Sequence, residues 1–215
     1  MRLKTILAVL IGLFLPRTTS ANLIANGDFE DGNVSFHTHY TFNGIGDSAY
    51  VIEDDPQDWN PNFASFGDHT TGTGLMMVVN GSIFSDLIVW EETVSVIPFV
   101  DYTLSVWTAS AHFTAPAELD FLINGTSVGS KPLDLGNGVW SEFSVLWNSG
   151  SMTSANIRII DLEDAHTGND FVLDDISFVP EPSAGLLFMM AAFGLLCRQR
   201  DCRFCESAHL ETHRP

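Results

Sequence analysis

Tyr102-Thr103-Leu104-Ser105-Val106-Trp107-Thr108-Ala109 is the stretch that decides the fold class. Tyr102, Leu104 and Val106 alternate with Thr103, Ser105 and Trp107. A period of two sets one group on each face of a pleated strand. Outward from this run the same signal repeats: Phe143, Val145 and Trp147 alternate with Glu142 and Ser144, and Asn124-Gly125 between two apolar runs is a hairpin turn. Candidate strands fall at 23–24, 36–42, 49–52, 75–79, 87–96, 102–109, 119–123, 127–128, 140–147, 156–161 and 171–178, separated by Gly, Asn, Asp and Pro. No stretch between 22 and 179 carries a helical period. The expectation is an all-β domain, an antiparallel β-sandwich of the jelly-roll kind. Trp90, Trp107, Trp140 and Trp147 lie in alternating strands and are expected in its core.

Charge narrows the function. The chain has 9 Lys+Arg against 27 Asp+Glu over 215 residues, a formal net charge of −18. Such a surface repels a phosphate backbone, so nucleic acid is excluded as a partner. At 45% hydrophobic residues with five Trp the chain is also no acidic disordered tail. The charge is uneven: 22–179 holds 23 acidic residues, and its cations are Lys131 and Arg158.

The two ends read as appendages to the sandwich, a signal helix in front and a short hydrophobic anchor helix behind. Residues 1–21 have a basic start, an apolar run over 6–15, Pro16 and the small cleavage-site residues Thr19-Ser20-Ala21, as a secretory signal peptide does. At the other end Pro180-Glu181-Pro182 precedes fifteen largely apolar residues, 183–197, and then Arg198-Gln199-Arg200. At about 1.5 Å per residue that run spans about 22 Å, short of the roughly 30 Å hydrocarbon core. Thinning or arginine snorkelling would let it cross, with its arginine side cytoplasmic. Pro180, Glu181, Pro182, the apolar run and the cluster Arg198, Arg200 (180–200 in all) resemble the PEP-CTERM sorting signal of bacterial surface proteins. The resemblance implies processing by an exosortase-type membrane enzyme and delivery to the cell surface or extracellular matrix. Such signals end within a few residues of the arginines, whereas here a tail, 201–215, follows with Cys202-x-x-Cys205 inside it.

The remaining 22–179 is expected to form the ectodomain. It contains no Cys, so packing or a metal ion must hold it together. It opens with Asn22-Leu-Ile-Ala-Asn-Gly-Asp-Phe-Glu30 and closes with Asn169-Asp-Phe-Val-Leu-Asp-Asp-Ile-Ser-Phe178. Both resemble the first and last strands of galactose-binding-like β-sandwiches, the class of many carbohydrate-binding modules. The resemblance implies neighbouring end strands and a structural calcium ion held by Glu30 and either Asp174 or Asp175, with a backbone oxygen near Asp28 and a further ligand at Asp68. Several carboxylates beside backbone carbonyls suit a hard cation with six to eight oxygen ligands. Adjacent Asp residues on a regular strand face opposite ways, so one of the pair would bind. Solvated edge carboxylates are the alternative.

Among the aromatics, Trp59 in the polar loop Asp58-Trp59-Asn60-Pro61-Asn62 is the candidate for stacking on a sugar ring, or else an anchor for that loop. His37-x-His39 is half of a zinc pattern, with His69, His112 and His166 scattered elsewhere; solvated histidines are the simpler reading. Gly125-Thr-Ser-Val-Gly129 matches a nucleophile-elbow string, but Lys131-Pro132 stands where the required helix should run. Glu91-Glu92 as strand neighbours cannot form a glycosidase pair, and Asp54, Asp55 and Asp58 read as a loop cluster. The expectation is therefore a non-catalytic, exported, polysaccharide-associated surface protein. The alternative is a structural or protein-interaction module of the envelope, and a secreted hydrolase is more remote.

Overall fold

The computed structural model describes residues 21–182. The expected signal helix, apolar anchor run and Cys-containing tail lie outside the described residues. No helix among the described residues is long and apolar enough to cross a membrane.

Ten strands and one turn of helix make up the domain: β1 (Thr41–Phe42), β2 (Ala49–Glu53), α1 (Pro56–Trp59), β3 (Met76–Asn80), β4 (Ile88–Ser95), β5 (Asp101–Ser110), β6 (Glu118–Ile123), β7 (Thr126–Pro132), β8 (Ser141–Asn148), β9 (Ser154–Asp161) and β10 (Phe171–Pro180). They form a six-stranded sheet in the order β1-β2-β3-β10-β5-β8 and a four-stranded sheet in the order β4-β9-β6-β7. Pairing is antiparallel except between β1 and β2. The fold is all-β, as the alternation predicts.

Tyr102, Leu104 and Val106 of β5 share the main core with Leu119 and Phe121 of β6 and Ile157 and Ile159 of β9, which joins the two sheets. Asn124 and Gly125 both take positive φ, 53° and 76°, so the β6–β7 hairpin has the two left-handed residues that its sequence favours. Phe171 and Leu173 of β10 belong to this core, while Val172 between them joins a second cluster with Val51, Phe63, Met76, Val78, Ala109 and Ala111. By that alternation the second cluster lies on the outer face of the six-stranded sheet, with Trp59, Phe66 and Trp140 packed on it. Among the described residues, both clusters are drawn from between Ile24 and Phe178.

Three expectations need correction. The runs at 23–24 and 36–40 are not ladder strands; they are held by isolated bonds, such as Leu23 N to Phe178 O (3.0 Å) and a bridge between His37 and Glu91. β10 does not stop before the prolines but runs to Pro180, which pairs with Tyr102. Of the four strand tryptophans only Trp90 is fully buried; Trp147 packs partly buried on the main core, and Trp107 and Trp140 are not part of it.

Candidate functional site

The site grows from an irregularity in β10. Its pairing with β5 shifts register between Asp174 and Ser177, and Asp175 takes a φ of 46°. A bulge of this kind re-aims side chains that regular alternation would send apart. Asp174 and Asp175 consequently line one pocket, contrary to the opposite-face expectation. The opening segment reaches the same place because Gly27 lies against the bulge, with Ile176 N donating to Gly27 O at 2.8 Å.

The five carboxylates singled out in the sequence, Asp28, Glu30, Asp68, Asp174 and Asp175, line this pocket of about 340 Å3 together with Thr70, Thr71, Thr73 and Gly74. Asp174 is 1% exposed. It accepts from His69 N (2.9 Å) and Asp175 N (2.8 Å), and burial pushes its carboxyl up to about 7. Glu30 accepts from Leu75 N at 2.8 Å. Asp68 accepts from Thr70 N, Thr71 N, Thr71 Oγ1 and Gly74 N at 2.6–3.1 Å. Burial pushes Asp68 up, but these donors outweigh it and hold the carboxyl below its usual range. Its oxygens are thus largely committed to bracing their own loop.

The donor set is made of oxygens, as a hard cation requires, and the buried Asp174 has no cationic side chain in salt-bridge contact among the described residues. Among the described residues, however, no three His, Cys, Asp or Glu side chains converge as a finished metal cage. The chemistry of the pocket fits calcium; a bound ion would have to draw its carboxylates closer.

His69 links the pocket to the sheet. Its Nδ1 is 2.6 Å from Asp175 Oδ2, Thr70 Oγ1 donates to the same oxygen, and its ring stacks on Trp107 with centroids 3.7 Å apart. Trp140 stands edge-on to that ring and donates through Nε1 to Gly67 O at 3.2 Å. Beyond the indole opens a cleft of about 390 Å3 lined by Trp107, Ser105, Ser177, Asn22, Asn26, Asp28, Asp175 and their neighbours. An aromatic among hydroxyl, amide and carboxylate groups is the combination that grips a polyol: apolar ring face below, hydrogen-bonding groups at the sides. Sequence reasoning misses Trp107 here, although the signal is present. A tryptophan on the Thr103–Ser105 face of an amphipathic strand is out of place in a core.

Trp59 lies elsewhere. It ends α1, packs edge-on against Phe63 at 5.9 Å and leans on the outer cluster, and it lines neither the acidic pocket nor the cleft. The histidines do not assemble: His37 meets Glu91 (3.4 Å), His166 meets Asp47 (2.9 Å) and His112 meets Thr114 (3.0 Å). Ser127 of the elbow string is a residue of β7 donating to Asp120 at 2.6 Å, with no helix behind it.

No protein-family model matches the chain, and no curated protein matches it. Among solved structures it is similar to a Stig cyclase, Fisc, from Fischerella sp. TAU, with a TM-score of 0.53 and 14% identity over 76% of this chain and 99% of that one. It is similar to TmCBM61, a carbohydrate-binding module in complex with β-1,4-galactotriose, with a TM-score of 0.50 and 15% identity over 75% of this chain and 100% of that one. A third, the enzymatically active domain of bacteriophage CBA120 tailspike protein 4, has a TM-score of 0.49 and 13% identity over 74% of this chain; the chain spans 21% of its length. Identities this low speak for the fold alone. Its neighbours include β-sandwich carbohydrate-binding modules and also enzymes.

Proposed function

We propose that this chain is a non-catalytic, exported surface or matrix protein whose sandwich holds a polysaccharide in the Trp107 cleft. The observation that carries the reading is the indole of Trp107 set among Ser105, Ser177, Asn22 and Asn26 in an open cleft of about 390 Å3. The fold shared with the sugar-bound module adds support. Two buried acids support a non-catalytic role: Asp161 and Asp170, both pushed up to about 7 by burial, are only 1% and 6% exposed and so are not presented to a substrate. Affinity electrophoresis on a panel of acidic and neutral polysaccharides tests this. Retention that disappears in Trp107→Ala and survives in Trp59→Ala is the expected result. Loss in Trp59→Ala alone would move the site to the 54–62 loop, and no retention on any polymer would leave an interaction module of the envelope. One observation favours that second reading: His69 already covers one face of the Trp107 ring.

Export is proposed to run through the leader 1–21 and a PEP-CTERM-type signal at 180–200, handled by an exosortase-type enzyme. Glu181 and Pro182 are exposed at the end of β10, accessible to a processing enzyme. A calcium ion is proposed to be held by Glu30, Asp174 and Asp175 with a backbone oxygen near Asp28, tying both ends of the domain together; Asp68 orders the adjoining loop. Chelation is expected to lower the melting temperature by several degrees, and Glu30→Ala to abolish that difference. Superimposable melting curves with calcium and with chelator would remove the ion from the account.

A further inference from the structure

One end of the sandwich is built unlike the rest of this acidic chain. The β4–β5 loop (96–100), the β8–β9 loop (149–153) and the β6–β7 turn (124–125) carry no charged residue. The loops are bonded to one another: Val96 N donates to Thr153 O (3.0 Å), Phe99 N to Gly150 O (2.6 Å), and Asn124 Nδ2 to Met152 Sδ (2.9 Å). From this end Ile97 and Phe99 project into solvent, 67% and 77% exposed, beside the exposed Met152.

Their exposure is fixed by the backbone. Ile97 N donates to Tyr102 Oη at 2.8 Å, and the buried Ser149 donates through Oγ to Ile97 O at 2.8 Å. Phe99 holds a φ of 60°, a left-handed conformation that disfavours any residue with a Cβ. A loop pinned this firmly, with its two largest apolar side chains turned outward, presents a surface for something apolar.

The exit of the chain says what that something is. Pro180 pairs with Tyr102, and Glu181 N donates to Asp101 O at 2.8 Å, so the polypeptide leaves the domain beside Asp101, two residues from Phe99. The apolar run begins at Ser183-Ala184. Two or three extended residues reach at most about 10 Å. Any bilayer entered by that run must therefore lie against the Ile97–Phe99 end.

We propose that Ile97, Phe99 and Met152 form a lipid-contacting tip that seats this end of the domain on the surface of an uncharged, zwitterionic bilayer. The proposal rests on the reading that 183–197 enters a membrane. Asp101 and Glu181 at the rim stay at headgroup level, where Asn148 Nδ2 and the Thr103 hydroxyl hydrogen-bond them. The surplus of acid over the rest of the domain disfavours an anionic lipid surface.

Flotation with phosphatidylcholine vesicles tests the tip, using the full chain and the fragment 21–182, the latter first checked for cooperative thermal unfolding. The fragment is expected to float with the vesicles, less so when phosphatidylglycerol is added. Ile97→Ser with Phe99→Ser should lower its partition about tenfold at an unchanged melting temperature. Phe99→Trp should retain binding and gain fluorescence quenched by brominated lipid, and Ile45→Ser at another exposed apolar site should change nothing. A fragment that stays in the soluble fraction, or a Ser double variant that floats as well as the parent, overturns the proposal. So does a fragment dimer that the double variant dissociates in sedimentation, which would assign the face to a second copy. A full chain that fails to float while the fragment succeeds refutes the anchor reading and leaves the tip standing.

Discussion

Gly27 has no space for a side chain. A Cβ built there would run into the Ile176 carbonyl oxygen and stand 3.1 Å from Ile24 Cγ2. Its own carbonyl accepts from Ile176 N, so the glycine is where the start of the domain touches the β10 bulge. The neighbour that would have to yield is main chain rather than the flexible tip of a side chain. Gly27→Ala is therefore expected to destabilise the domain by about 3 kcal/mol, read as a lowered midpoint in urea unfolding at constant slope. A change under about 0.5 kcal/mol, the size of an ordinary surface substitution, would show that the opening segment is not pinned to β10. The same contact brings Asp28 and Glu30 to Asp174, so the variant should also weaken any response of the melting temperature to calcium.

At the scale of elements, legibility in the sequence follows how local the controlling physics is. β5 and β8 are readable because alternation is a property of neighbouring residues, and the β6–β7 turn because Asn124-Gly125 favours left-handed backbone wherever it occurs. The register shift in β10 is not readable. Asp174-Asp175 looks like any strand dipeptide, and the positive φ at Asp175 arises where β5 and the Gly27 segment meet it. The alternation rule sends the pair to opposite faces, although both line one pocket. The five acidic residues are nonetheless legible as a group, since the two end segments that carry most of them are distinctive in sequence. Trp107 escapes for a different reason: its period is plain, but its bulk and hydrophobicity suggest a core residue despite the polar face on which it lies. The apolar runs at 23–24 and 36–40 mislead in the opposite sense. Their backbones are satisfied in part by side chains: Ile24 N donates to Asn22 Oδ1 at 3.1 Å, and Tyr40 N donates to Thr38 Oγ1 at 3.0 Å.

Over the whole molecule the charge is distributed with a direction. The loops at the Ile97–Phe99 end carry no charge inside a rim of Asp101 and Glu181, whereas the loops that carry Asp47, Glu163, Asp164 and His166 gather around two buried acids, Asp161 and Asp170. Burial is the main cause that pushes both carboxyls up to about 7; for Asp161 the nearby Glu163 and Asp170 add to it, and for Asp170 the nearby Asp47 does. Asp174 in the acidic pocket is raised to the same level. The folded state then holds protons that the unfolded chain, with carboxyls near 3.8, has released. Stability falls with rising pH wherever the native state binds more protons. The contribution of these three groups is complete below about 4 and disappears as the pH rises through about 7. Asp68 and Glu91, held below their usual values, act in the reverse sense and lose their contribution only in stronger acid. With chelator present, the melting temperature should therefore climb as the pH is lowered from 8 to 5 and drop again below about 4. Asp170→Asn separates this from relief of general self-repulsion, because its amide oxygen can still accept from Gly81 N, a bond of 3.1 Å in the parent, while the titration is gone. That variant should lose more than about a third of the climb between pH 8 and 5, because the Asp170 charge also helps to raise Asp161. An undiminished climb would place the pH dependence in the bulk charge of the surface instead of at the buried carboxyls.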